Sequence, residues 1–171
     1  SEAKAEQWIA EQLEQAAAGL QPALGGPERA TVAQMLFKYA YRCTVLKGGA
    51  DAELTRINNY LHGGGLPALR LVTDDSDRRK LEQMAPRPRA KNQEGWQQYI
   101  DVRRGLRTET YALIHRIGSM TCAKLTTELL GDLATTMESE GLSPSTVQKE
   151  LALLKAAFNT AIREWRWKGF E

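Results

Sequence analysis

The side chains best placed to do chemistry in this sequence lie between Ser143 and Trp167. Gln148, Lys155, Asn159, Arg163 and Arg166 recur there at helical spacing, with Ser145, Thr146 and Lys149 at the start of the same run. An amide offers a donor and an acceptor side by side, while an ammonium or guanidinium offers donors and positive charge. Such a row suits phosphates and the edges of bases rather than bond breaking. A solvated helix face carries the same periodicity, so spacing alone leaves both readings open. Beside the polar row, Val147, Leu151, Leu154, Phe158, Ala161, Ile162 and Trp165 fall within a sector roughly 100° wide, at about 100° per residue. That sector is the expected buried stripe, with Glu150 and Glu164 on the opposite flank. Ser143 suits an N-cap, and Pro144 suits the first helical position, where a missing N–H costs nothing.

Other constellations are sparse. Gly63-Gly64-Gly65 follows a helical pattern instead of joining a strand to a helix, so it is no phosphate loop. His62 and His115 are isolated, and no Cys-x-x-Cys or His-x-x-x-His spacing suggests a metal. Asp74, Asp75 and Asp77 lack the glycine and distal glutamate of a calcium loop, which leaves a polar turn. No catalytic residue, metal or cofactor is expected. Cys43 and Cys122 form no disulfide framework and fit a reducing compartment as buried thiols.

The 171 residues suffice for one domain with a real core, and 42% apolar with 26% charged residues is a soluble globular composition. No apolar run could span a membrane and no signal-peptide pattern opens the chain, so a cytoplasmic location is expected. The chain begins at Ser1 rather than Met, as expected of a piece cut from a longer protein. A net charge of +2 does not by itself argue for nucleic acid, but its distribution is uneven. Residues 78–107 hold nine Arg or Lys (Arg78, Arg79, Lys80, Arg87, Arg89, Lys91, Arg103, Arg104, Arg107) against Glu82, Glu94 and Asp101, a local +6. That run would attract a polyanion, or would be a solvated loop.

The elements that must position these residues read as helices throughout. Trp8, Ile9 and Leu13 mark a helix over 3–18, and Gly19–Pro27 a linker. Thr31 caps a helix whose Val32, Met35, Leu36, Tyr39 and Ala40 face inward, and Lys47-Gly48-Gly49 closes it. Asp51 is expected to cap the next, with Leu54, Ile57 and Leu61 inward, before His62–Pro67 breaks the chain. The spacing predicts a short helix around Arg78–Met84, another over Glu94–Leu106 with Trp96 and Tyr99, and a third capped by Thr108 with Tyr111, Leu113, Ile114 and Ile117. A further helix runs from Thr127 to about Glu140, with Leu129, Leu130, Leu133, Ala134 and Met137 apolar, and stops at Gly141. No alternating strand pattern stands out, so the expected class is all-α.

Residues 141–167, from Gly141-Leu142-Ser143-Pro144-Ser145-Thr146-Val147 to Arg166-Trp167, resemble the last helix of the core-binding domain of phage-type integrases, the tyrosine recombinases. Leu125–Met137 resembles that domain's third helix, and Thr31–Ala40 with Lys47, Gly48 and Asp51–Leu61 its first two. About 90 residues in two blocks are covered. The resemblance implies a four-helix core-binding (SAM-like) bundle, with residues 1–28 as an N-terminal helix and linker and 29–171 as the DNA-binding domain. Residues 62–124 depart from the pattern. They form an arginine-rich helical insertion packed on the bundle or a flap on DNA, or else residues 31–72 are a module apart from a bundle at 94–171.

The resemblance further implies a non-catalytic module that grips double-stranded DNA at a recombination site. The full-length protein would be the enzyme, with its catalytic Arg/His/Tyr domain beyond Glu171, so none of Tyr39, Tyr41, Tyr60, Tyr99 and Tyr111 is a nucleophile. Ser145, Thr146, Gln148 and Lys149 fall at the start of the DNA-facing helix, Lys155, Asn159 and Gln148 toward the groove, and Arg163 and Arg166 toward phosphate. Lys38, Arg42, Lys47 and Arg56 are weaker candidates on the first two helices. The implied partners are duplex DNA, the C-terminal catalytic domain and a tetramer of the full-length protein, associated with the nucleoid when bound. Trp165 is expected in the core, Trp167 over the linker or against the catalytic domain, and Trp8 on an arm toward a neighbouring protomer. The competing expectations are an all-α protein-interaction module and a stand-alone helical DNA-binding regulator.

Overall fold

The computed structural model describes residues 2–4, 6, 26–84 and 105–167. Most of the expected N-terminal helix with Trp8, and the basic stretch 85–104 with Trp96 and Tyr99, lie outside them.

Helix α1 (Val32–Arg42) opens on a reciprocal cap: the Thr31 hydroxyl accepts the Gln34 N–H at 3.1 Å, and the Thr31 N–H donates to Gln34 Oε1 at 3.0 Å. Val32 to Ala40 are all buried except Gln34, so α1 is apolar nearly all round and is the central rod of the core. A 3-10 turn (Thr44–Leu46) leads to α2 (Ala50–Gly63). Gly49 occupies the N-cap of α2 without a side-chain bond, so Asp51 does not cap it. Its carboxylate lies in the first turn instead, where the helix dipole favours a negative charge.

Helix α3 (Thr108–Ser119) crosses α2 at a distance set by glycine. A Cβ on Gly118 would lie 2.2 Å from the Tyr60 carbonyl oxygen, and one on Gly63 2.3 Å from that of His115. The glycine run that reads as a chain break is therefore also a packing surface. Thr108 is the first helical residue of α3, not its cap. The first-turn N–H groups of Glu109 and Thr110, which have no partner within the helix, are taken by the carboxylate of Glu140. That residue is the C-cap of α4 (Thr127–Ser139), so one helix end caps another. Thr126 caps α4 through the Leu129 N–H, and Gly141, at φ +85°, turns the chain into α5 (Pro144–Arg163). Ser143 caps α5 through the Thr146 N–H at 3.3 Å, with Pro144 at the expected position.

The molecule is mainly helical but not all-α. Leu69–Thr73 (β1) and Arg79–Gln83 (β2) pair antiparallel, with Leu71 opposite Leu81 and Arg70 opposite Glu82. The expected helix around Arg78–Met84 is thus a strand. Arg, Lys, Leu, Glu, Gln and Met are all good helix formers, and tertiary contacts override that local preference here. Asp74 Oδ1 accepts the N–H groups of Ser76 and Arg78, and Asp77 adopts φ 61°, which turns the chain back on itself. Asn58 of α2 then clamps the hairpin, donating to the Leu69 carbonyl at 2.9 Å and accepting its N–H at 2.8 Å. The described parts of 62–124 pack against the other helices: α3 lies against α2 and α1, and the Cys122 N–H donates to the Ala30 carbonyl. One continuous core joins Leu36 and Phe37 of α1, Ile57 of α2, Ile117 of α3, Leu133 of α4 and Leu154 of α5.

Candidate functional site

Helix α5 buries Val147, Glu150, Leu153, Leu154, Ala157, Thr160 and Ala161. Compared with the expected stripe, this face is turned round the helix toward Glu150 and Ala157. Leu151 and Phe158 are only half-buried, and Ile162 is 39% exposed. Small side chains at 157, 160 and 161 let α5 press close to its neighbours, and packing rather than the longest apolar residues fixes the helix rotation. Glu150, expected on the polar flank, is 4% exposed. It accepts the Tyr60 hydroxyl at 2.7 Å, and Arg56 Nε stands 3.7 Å from its second oxygen. Burial raises the Glu150 carboxyl above the usual carboxylate range, against the opposing pull of Tyr60 and Arg56. Burial, together with the facing Glu150, also pushes the Tyr60 phenol up.

The opposite face of α5 is a surface row. Gln148, Ala152, Lys155, Asn159 and Ile162 follow at intervals of four, three, four and three residues, and all are exposed. The row spans about 21 Å at about 1.5 Å per residue. Ser145, Lys149 and Arg163 flank it and are exposed, Thr146 is half-buried at the capped end, and Arg166 is exposed just beyond the last turn. The side chains of Gln148, Lys155 and Asn159 have no hydrogen-bond or ion-pair partner among the described residues. Arg163 makes one long bond, 3.4 Å, to the Asn159 backbone carbonyl. Neither acid of this segment shares the face: Glu150 is buried, and Glu164 lies about 200° round from Ile162. The row therefore offers amides, methyl groups and unopposed positive charge.

The candidates on the first two helices sit differently. Lys47 donates to Tyr39 Oη at 2.8 Å and pairs with Glu53 at 3.0 Å, in a cluster completed by the Thr44 hydroxyl on the same carboxylate. Burial pulls the Lys47 ammonium down, but the bonds to Tyr39 and Glu53 and their charges together outweigh it and hold it above its usual range. Arg56 is held by Glu150. Lys38 is 4% exposed, with its Nζ 4.4 Å from the Trp165 ring centroid, so it is part of the interior. The structure thus gathers the candidates of α5 on one surface and ties those of α2 and the preceding turn into internal pairs.

Trp165 is half-buried over Lys38, and Trp167 is 5% exposed, packed edge-on against Trp165 at 5.7 Å. Trp167 thus belongs to the core rather than lying off it. In the hairpin, Arg70 pairs with Glu82 at 2.9 Å and Arg79 donates to the Lys47 carbonyl at 2.8 Å. Residues 85–104 of the basic stretch lie outside the described residues. Sequence reasoning missed the buried Tyr60–Glu150–Arg56 cluster, and no local signal marks it, since its members lie 90 residues apart. Among the described residues no three His, Cys, Asp or Glu side chains converge on a metal-sized site, and no helix is long and apolar enough to cross a membrane. Comparison with family models, curated proteins and solved structures finds no match to this chain.

Proposed function

We propose that this chain is the DNA-gripping module of a site-specific recombinase of the tyrosine recombinase type, acting at the recombination site during DNA integration. The acid-free exposed row of α5, with Lys155, Arg163 and Arg166 unopposed by carboxylates, carries the reading. A duplex is a dense array of negative charge, and cations freed from internal pairing are what it recruits. The resemblance of residues 141–167 to the family's last core-binding helix adds direction, and that segment is a single capped helix over Pro144–Arg163. Cleavage belongs to a catalytic domain that would follow Glu171, and assembly on DNA to a tetramer of the full-length protein in the bacterial nucleoid. Tyr39 and Tyr60 are interior side chains bonded to Lys47 and Glu150, which fits a non-catalytic role for this module.

The test is an anisotropy titration of the 171-residue chain against a labelled random duplex at several salt concentrations. Micromolar binding that weakens steeply with salt is expected, and Lys155→Ala with Arg163→Ala should weaken it about tenfold. If that double variant binds as the parent does, the reading fails. No binding at low salt would hand the surface to a protein partner and make the chain a helical interaction module.

A further inference from the structure

We propose that Asn159 and Ile162 read base edges, and that the preferred duplex carries an adenine for Asn159 and a thymine for Ile162 on the same or the neighbouring base pair. The inference rests on the DNA-binding reading above and deepens it. Three observations carry it. The Asn159 amide has no partner among the described residues, so its donor and acceptor are both open. Ile162 is 39% exposed one turn further on, an apolar side chain at the C-terminal end of the row. Ala152 and Gln148 precede them on that face, so no long side chain holds the backbone away from a groove at Ala152.

Phosphate contact explains Lys155, Arg163 and Arg166, but it does not explain Ile162, which offers a phosphate nothing. The major groove, about 12 Å wide, admits a helix about 10–12 Å across, whereas the minor groove, about 6 Å wide, does not. In the major groove an asparagine amide matches adenine N6 and N7 in a paired donor–acceptor contact, and an apolar side chain meets the thymine methyl. Three residues of helix rise about 4.5 Å, against about 3.4 Å between stacked bases, so side chains at 159 and 162 reach the same or adjacent base pairs. The cations on either side fix register, while the amide and the butyl group supply discrimination.

The experiment selects duplexes from a random library with the 171-residue chain and then alters the best duplex one base at a time. Deoxyuridine replaces each thymine, deleting its methyl group, and 7-deazaadenine replaces each adenine, deleting N7. One uridine position should weaken binding about fourfold, the worth of a buried methyl, and one 7-deazaadenine about tenfold. Ile162→Ala should bind the thymine and uridine duplexes alike, and Asn159→Ala should ignore the 7-deaza change. Both residues are exposed, so thermal melting should be unchanged in either variant. If the parent is indifferent to every uridine and 7-deazaadenine, or Ile162→Ala keeps the uridine penalty, the inference falls and the DNA reading stands. If the selection enriches nothing and no duplex binds, both fall together.

Discussion

Glu150 shows how one side chain can couple two elements at an energetic cost. Taking a carboxylate out of water is unfavourable unless its oxygens are matched, and here Tyr60 satisfies one oxygen while Arg56 stands 3.7 Å from the other. The result links α2 to α5 by a polar contact inside a mainly apolar core. Because burial raises the folded-state pKa, folded protein keeps the Glu150 proton over a window in which unfolded protein has already released it. Stability should therefore fall as pH rises from the ordinary glutamate range through the raised folded value. Glu150→Gln keeps an acceptor for Tyr60 and removes the charge, so it should flatten that fall and stay within about 1 kcal/mol of the parent at pH 7. Glu150→Ala strands the Tyr60 hydroxyl and should cost about 2 kcal/mol. Urea denaturation between pH 4 and 7 measures all three, and a pH slope unchanged in Glu150→Gln would show that Glu150 titrates alike in the folded and unfolded protein. Glu140 has the opposite sign: burial pushes its pKa up, but the bonds from Thr110 and Glu109 together outweigh it and hold the carboxyl below the usual range. Its support of α3 is present above the ordinary glutamate value and is lost as pH falls through the lowered one.

At the scale of elements, what was legible in the sequence is what local chemistry decides. The Thr31, Thr126-to-Thr127 and Ser143 starts, the Gly141 stop and the inward faces of α1 and α2 follow from capping residues and spacing a few positions apart. The losses are contacts made across the chain. The hairpin exists because Asn58 clamps Leu69 and because Leu81 meets the core, neither of which the sequence Arg79-Lys80-Leu81-Glu82-Gln83 announces. The rotation of α5 depends on how closely its small residues approach other helices, so the polar row was readable while the buried face was misplaced. The Gly118 contact offers a direct check of such cross-chain packing. Gly118→Ala places a Cβ against the Tyr60 backbone, which cannot rotate aside as a side chain would, and should destabilise by about 3 kcal/mol. Gly131→Ala, in α4 with nothing within 4 Å of the new methyl group, should stabilise by about 1 kcal/mol. Thermal melts of the pair separate packing from helix propensity, and a Gly118→Ala variant that melts with the parent would mean that α2 and α3 do not cross this closely.

At the scale of the molecule, net charge is a poor guide to where an anion would land. The chain carries only +2, yet its cations are not equivalent. Lys38 is buried under Trp165, Lys47 and Arg56 face Glu53 and Glu150, and Arg70 faces Glu82. Each of the three cation–glutamate pairs presents almost no net charge to an approaching phosphate, so the field outside these regions is weak. Along α5 no carboxylate cancels Lys155 or Arg163. The slope of log affinity against log salt counts the phosphates neutralised, at about 0.9 for each contact on duplex DNA. Lys155→Ala and Arg163→Ala should each lower that slope by about one. Lys47→Ala should leave the slope where it is and instead cost about 1 kcal/mol in stability, since its work is to hold Glu53 and Tyr39. The Lys47 side chain is 42% exposed, so solvent access alone would rank it with the α5 cations. A Lys47→Ala slope reduced as much as that of Lys155→Ala would mean that the ion pair opens on DNA and that the gripping surface extends from α5 to the turn before α2.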